Sequence, residues 1–504
     1  MILHHKFIDT AKKNGNKLAI IDKMVGTKAT YSKALIGSLV LQNKLKKYDE
    51  RYIGIMIPNS AGAMLTTIAT LMSGKIPVMI NYSTGAGENC LMAQNKCNFK
   101  TIITSRALLE KQNCPLIDGM VCIEDLITTV TGLDKLFSAI KSKLPKAIIK
   151  AILPKSSIDD TACILFTSGS EKEPKAVQLS HKNLGSNVED VIDVLKLTKK
   201  DTIFSILPLF HVFGIQTNFW MPLTLGMTVV TYANPLDYKN IPKIIREERC
   251  TLIAATPIFL SGYLRSSKPG DFASLELIVA GADKTPQWLR DEYKEKHNIE
   301  IVEGYGATET SPVVSVNHRD NNKPGSIGLV VPNAKVKITN IDTGEPLPPG
   351  VEGKILVKGD LVMKGYMDDI KTKEVIVNGW YDTGDIGILD EDGFLWHRGR
   401  LKRFVKIGGE MVSLVNTESV ISNIVDKSID CCVVDVPDEI KGSSLVAVLT
   451  KEIDKDELIK SLGQNLPQIA IPKKYIFLED LPKMGSGKVD FRSVEKLVRE
   501  EVTV

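Results

Sequence analysis

From Ala19 to about Val330, short apolar runs alternate with longer stretches in which apolar residues return every three or four positions. YIGIMI (52–57), IPVMIN (76–81), TIIT (101–104), CILF (163–166), TIFSILP (202–208), TVVTY (228–232), TLIAATP (251–257) and LELIVAG (275–281) have the length and β-branched content of buried strands. AGAMLTTIATLMSG (61–74) between them has helical length. Strands separated by helix-length segments predict an α/β fold with a largely parallel sheet covered by helices. Ser180 is placed to cap a helix in which Leu184, Val188, Val191, Ile192 and Leu195 share one face, leaving Glu189, Asp190 and Asp193 for solvent.

Beyond about Gly325 the texture changes to short alternating runs punctuated by Gly and Pro, as in PNAKVKITNIDTGEPLPPGVEGKILVKG (332–359), and predicts a β-rich subdomain. After GFLWHRGRLKRFVKIGGEMVS (393–413), the runs ESVISNIV, CCVVDVP and SLVAVLT predict a small α+β unit. We expect a large domain over 1–399 and a small one over 400–504, joined between Gly399 and Lys402.

The 504 residues exceed one ordinary core, in keeping with more than one domain. A net charge of +4 from 64 basic and 60 acidic residues, with no basic block interleaved with aromatics, argues against nucleic acid as a partner. The 8 cysteines show no CxxC pair and no histidine at metal-ligand spacing, which fits reduced thiols. MILHHKFIDTAKKNG lacks the apolar core of a secretion signal, so the expected location is cytoplasmic. One basic amphipathic stretch, LFSAIKSKLPKAIIKAILPK (136–155), reads either as a surface helix broken at Pro145 or as a peripheral membrane contact through Ile148, Ile149 and Ile152.

Chemistry concentrates in a few loops. In ILFTSGSEKEPKAV (164–177), Thr167, Ser168 and Ser170 offer hydroxyls, Gly169 permits close backbone approach, and Lys172 and Lys175 supply charge, which suits phosphates. An ordinary turn would have the same composition. The P-loop pattern GxxxxGK[ST] is absent, because GSGK (485–488) has Pro482 where the first Gly belongs.

This loop resembles the TSGSTGxPKG loop of the adenylate-forming superfamily. GYGATETSP (304–312), YDTGD (381–385), GRLKRFVKIGGE (399–410) and PKMGSGKVDFR (482–492) resemble the family's further motifs, in its order. Glu171, where most members have Thr, adds a resemblance to acyl-acyl carrier protein synthetases and to the synthetase half of acylglycerophosphoethanolamine acyltransferases, and the motif set also resembles that of fatty acyl-CoA ligases. The resemblance implies a large αβ-layered domain with a small mobile one. It also implies ATP and Mg²⁺ as cofactors, a fatty acid as substrate, and the phosphopantetheine thiol of acyl carrier protein or CoA as acceptor.

It further implies roles by position. Lys488 would bridge carboxylate and α-phosphate, Glu309 would hold Mg²⁺ and Thr308 would bond phosphate, while Gly281, Ala282, Gly304 and Tyr305 would flank adenine. Asp385 and Arg400 would take the ribose. Lys402 would be the hinge, with Lys406, Gly408 and Gly409 at the thiol entrance. His211 and Trp220, within the apolar run 205–226, would line the acyl pocket. Read as residues alone, Lys488 has the alternative reading of an exposed loop lysine, Tyr305, His211 and Trp220 that of core residues, and Asp385 with Arg400 that of a structural ion pair. Lys172 and Ala176 depart from the family's Gly-x-Pro-Lys-Gly and remove a flexible residue and a close-approach site from the turn. A catalytically silent nucleotide-binding protein at membranes is the competing expectation.

Overall fold

A computed structural model describes residues 1–502 except 168–173, 408–409, 439–441 and 484–488. The chain divides into two compact units, one of residues 1–335 and 357–381, the other of 336–356 and 382–504.

The first unit holds two sheets where the apolar pattern predicts one. In the nine-stranded sheet, six strands run parallel in the order Ile301–Gly306, Leu277–Gly281, Leu252–Ala255, Thr202–Ser205, Thr228–Thr231 and Leu18–Asp22. Antiparallel strands close it, Val313–Val316 and Leu329–Val330 at one edge and Thr27–Thr30 at the other. The seven-stranded sheet has a parallel centre of Thr161–Phe166, Ile76–Met79, Tyr52–Met56, Ile102–Thr104 and Met120–Cys122. Ala176–Ser180 and Gly365–Tyr366 extend it antiparallel. Periodicity marks each strand but carries no information about which strands pair, so the number of sheets was not legible from it.

Phe204, Val230, Ile253, Phe259, Tyr263, Ile278 and Tyr293 pack into one apolar core under the nine-stranded sheet. The helix His181–Val194 starts where expected, with Ser180 and Asn183 exchanging side-chain-to-backbone bonds of 3.0 and 2.8 Å. Asp190, expected in solvent, is instead buried and accepts from the Asn333 backbone and side chain at 3.2 and 2.8 Å. Burial pushes its carboxyl up to about 6.

The 136–155 stretch folds as two helices, Gly132–Lys143 and Lys146–Ala151, interrupted at Pro145. Of the three isoleucines in the membrane reading, Ile149 is wholly buried, as a surface helix would have it, whereas Ile148 and Ile152 are exposed. Helical spacing explains the difference, since i and i+4 share a face that i+1 does not. Among the described residues, no helix is long and apolar enough to cross a membrane.

In the second unit, residues 385–389 pair antiparallel with Leu395–Arg400 and bring Asp385 opposite Arg400. Further on, Cys431–Asp438, Gly442–Leu449 and Lys474–Phe477 form a sheet with the helices Leu414–Ile424, Lys455–Leu462 and Phe491–Val502. Strand alternation splits its residues between two cores. Val433, Leu445, Ala447 and Leu449 join Ile421 and Leu458, while Cys432, Val434, Val446 and Val448 join Val494 and Val498.

Candidate active site

In open α/β sheets, ligands bind outside the carboxyl ends of the parallel strands. Three sequence-predicted segments of the first unit occupy that position.

The strand Thr161–Phe166 ends at Thr167, and the chain returns antiparallel along Ala176–Ser180. Thr167 and Lys175 clasp the base of this hairpin: the Thr167 N–H donates to the Lys175 carbonyl at 3.0 Å, and the Lys175 N–H to Thr167 Oγ1 at 3.0 Å. Ser168, Gly169, Ser170 and Lys172 lie outside the described residues. Ala176, where the family pattern has Gly, is a buried strand residue paired with Phe166, so its methyl group is housed within the sheet.

Gly281 ends its strand and faces Gly304 in register on the adjacent parallel strand. A side chain at Gly281 would sit 3.2 Å from the Phe213 ring, too close for most Cβ contacts, so glycine allows this approach. Ala282 follows with φ of +72°. Behind this turn, the buried Arg290–Glu303 ion pair grips Thr285: Glu303 Oε1 accepts from the Thr285 N–H at 2.8 Å, and Arg290 Nη1 donates to its carbonyl at 2.7 Å. Tyr305 is half-buried on the neighbouring strand.

Past Gly306 the chain turns through Thr308–Thr310. Glu309 is buried, and Tyr366 Oη donates to its Oε1 at 2.8 Å. The ring of Tyr366 faces Lys175, whose Nζ stands 5.1 Å from the ring centroid. Tyr366 therefore couples the predicted cation-binding carboxylate to the predicted phosphate loop. It was missed in the sequence, where the dipeptide Gly365-Tyr366 was its signal. Among the described residues Glu309 has no Lys, Arg or His ion pair, and a buried carboxylate held by one hydroxyl donor fits a hard divalent cation.

His211 directly precedes the helix Val212–Ile215, with its ring 4.5 Å from that of Phe210. Trp220 ends a π-helical turn over Gln216–Trp220, is fully buried, and its Nε1 finds no acceptor among the described residues.

In the second unit Asp385 is buried, with Arg400 Nε at 3.4 Å and His397 Nε2 at 3.6 Å from its Oδ1. His397 is a neighbour that the motif reading missed. Lys402 is exposed on the turn Leu401–Arg403. Lys406 is exposed on Phe404–Ile407, which pairs with Glu410–Ser413 around 408–409. Gly408, Gly409 and Lys488 lie outside the described residues. Lys483 and Val489, which bracket 484–488, form an antiparallel bridge.

The profile of the AMP-binding enzyme family matches residues 7–367, and that of the AMP-binding enzyme C-terminal domain matches 417–488. The chain belongs to the AMP-binding enzyme family, and its fold is that of the adenylate-forming enzymes. It is 27% identical over 512 aligned residues to 4-coumarate–CoA ligase 2 of Petroselinum crispum, covering 97% of this chain and 92% of that one. It is 32% identical over 344 residues to indoleacetate–CoA ligase of Aromatoleum aromaticum, covering 66% and 67% respectively. The crystal structure of ATP-bound MatB from Rhodopseudomonas palustris superimposes with a TM-score of 0.84 at 25% identity, over 98% of both chains.

Proposed function

We propose that this protein is an ATP-dependent acid–thiol ligase that joins a carboxylic acid with an apolar body to the thiol of CoA. In the first step a carboxylate oxygen attacks the α-phosphorus of ATP and pyrophosphate leaves. In the second the thiol sulfur attacks the acyl carbon, AMP leaves with the bonding pair, and the thiol proton passes to solvent. The observation that carries the reading is the buried Glu309, held by Tyr366 beside Lys175 and close in sequence to the Gly281–Gly304 pair.

Two anions must meet in the first step, and each unneutralised pair of charges opposes that in a dry site. Lys488 is the proposed cation between them. Thr167, Ser168, Gly169, Ser170, Lys172 and Lys175 hold the triphosphate, with Thr308 bonding phosphate. Gly281, Ala282, Gly304 and Tyr305 flank the base, and Asp385 with Arg400 takes the ribose. Glu309 would hold Mg²⁺, which when bound neutralises phosphate charge. For the second step we assign Lys402 as the hinge between 1–399 and 400–504, with Lys406, Gly408 and Gly409 at the thiol entrance. Alternation shields a hydrolysable mixed anhydride and is a gating step.

CoA is favoured over acyl carrier protein because the matched relatives are CoA ligases along nearly the whole chain. A fatty acid is the second reading of the substrate, supported by the apolar 205–226 segment around His211 and Trp220. A panel of aryl and aliphatic acids, read by pyrophosphate release and then by thioester formation with CoA or acyl carrier protein, tests both points. Release without transfer to either thiol would overturn the ligase reading, and no release with any acid would favour a silent nucleotide-binding protein. Lys488→Ala should lower pyrophosphate exchange by about two to three powers of ten while ATP still binds, as for loss of a preorganised charge donor. Full exchange in that variant would remove Lys488 from the mechanism.

A further inference from the structure

The helix Gly132–Lys143 sits on the protein the wrong way round. Leu133, Leu136, Phe137 and Ile140, at i, i+3, i+4 and i+7, form its apolar face, yet Leu133 is 63% and Phe137 62% exposed. The inward residues are small and polar, Ser138 and Ser142, both buried. The helix is fixed in this orientation at several points. Lys44 pairs with Asp134 at 2.7 Å, Lys141 reaches Gln42 Oε1 at 3.4 Å, and Lys12 Nζ donates to the carbonyls of Ser142 and Lys143 at 2.9 and 3.2 Å.

The neighbouring helix Lys146–Ala151 is anchored by Ile149 and by Lys150, which pairs with Asp9 at 2.7 Å, and leaves Ile148 and Ile152 exposed. Both helices rest on the packed helices Leu3–Lys13 and Tyr31–Leu45. With Ile127 and Ile158, 8 of the 22 large exposed apolar side chains among the described residues fall within residues 127–158. Single exposed apolar residues are ordinary, but a contiguous stripe marks a contact surface.

Charge identifies what it contacts. Residues 135–158 contain Lys135, Lys141, Lys143, Lys146, Lys150 and Lys155 and no acidic residue, so their +6 exceeds the +4 of the whole protein. Lys135, Lys143 and Lys155 are exposed and make no ion pair among the described residues. Leu and Phe on one face with lysines alongside is the arrangement of a helix lying in a bilayer interface, where the apolar side chains enter the acyl boundary and the lysine heads meet phosphate.

We propose that the surface formed by Gly132–Lys143 and Lys146–Ala151 docks the protein onto an anionic lipid bilayer. The inference is independent of the acid or thiol used at the active site. It is tested with the full-length chain by co-sedimentation with vesicles of phosphatidylcholine alone and of phosphatidylcholine mixed with phosphatidylglycerol. Binding is expected to the mixed vesicles and to weaken with added salt. Combining Lys135→Glu, Lys143→Glu and Lys155→Glu should lower the partition coefficient by about a hundredfold or more, at about fivefold per lysine removed. Leu136→Ser with Phe137→Ser should lower it by about tenfold or more. Both variants keep the wild-type melting temperature and pyrophosphate exchange without vesicles.

Three results would overturn the proposal: equal sedimentation with both vesicle types, sedimentation with neither, or unchanged binding of the Leu136→Ser/Phe137→Ser variant. So would a wild-type dimer in solution that this variant converts to monomer, since the apolar face would then be covered by a second copy. Failed exchange with intact vesicle binding would count against the ligase reading alone.

Discussion

Tyr366 puts two contacts on one side chain, a hydroxyl on Glu309 and a ring face under Lys175. Tyr366→Phe keeps the ring and removes the donor from a buried carboxylate. A hydrogen bond to a charged group contributes about 1.5–3 kcal/mol, so exchange at limiting Mg²⁺ should fall by about ten- to a hundredfold and recover in part at high Mg²⁺. Tyr366→Leu removes both contacts, and high Mg²⁺ should restore less. An unchanged Mg²⁺ dependence in both variants would show that Tyr366 serves packing alone. The glycines at 281 and 304 and the acid at 309 were legible as motif letters, because close approach and charge leave few residue types to choose from. Tyr366 was not, since an aromatic residue in a short apolar run reads as core until its hydroxyl is seen to have a carboxylate.

Among the elements, the joint between the helices Leu3–Lys13 and His181–Val194 carries a pH dependence. His4 lies with its ring 5.3 Å from His181 and 4.6 Å from His5, and the Leu3 N–H donates to His181 Nδ1 at 3.4 Å. Burial holds His181 down to about 4 and His4 well below its usual value, with positive neighbours including Lys150 acting on His4 and His5 and Asp160 opposing at His181. A basic group depressed by folding binds more protons when unfolded. Stability is therefore present above about 6.5 and is lost as pH falls toward about 4. Asp190 on the same helix has the opposite sign, being raised to about 6, so its contribution is complete below the ordinary Asp value and is lost as pH rises through about 6. With three depressed histidines against one raised carboxylate, the melting temperature should drop between pH 7 and pH 5, and His181→Gln should flatten that slope. A flat wild-type profile would mean the histidines are not neutral in the fold. Helix placement here was legible from Ser180 and the apolar spacing. The inward turn of Asp190 was not, because its partner Asn333 is 143 positions away.

For the molecule as a whole, the proposed two-step cycle asks one chain to expose its site to ATP and the acid, then to a thiol. Lys402→Pro, which locks φ at the assigned hinge, should leave pyrophosphate exchange within about twofold and lower thioester formation by about tenfold or more, reading a gating defect apart from a chemical one. Equal loss of both steps would place the hinge elsewhere. The change of texture near Gly325 and the small α+β end were visible in the sequence, since alternation and Gly/Pro punctuation are local properties. The partition of the large unit into two sheets was not, being set by pairings among strands far apart in sequence. Among the described residues, the two cores of the terminal sheet draw on positions from Val405 to Val498. With its apolar interior supplied from within, this piece is an exchangeable part: grafted behind the larger half of a relative, it should bring its buried packing intact, and success would turn on matching the turn Leu401–Arg403 and the strand Leu395–Arg400 before it.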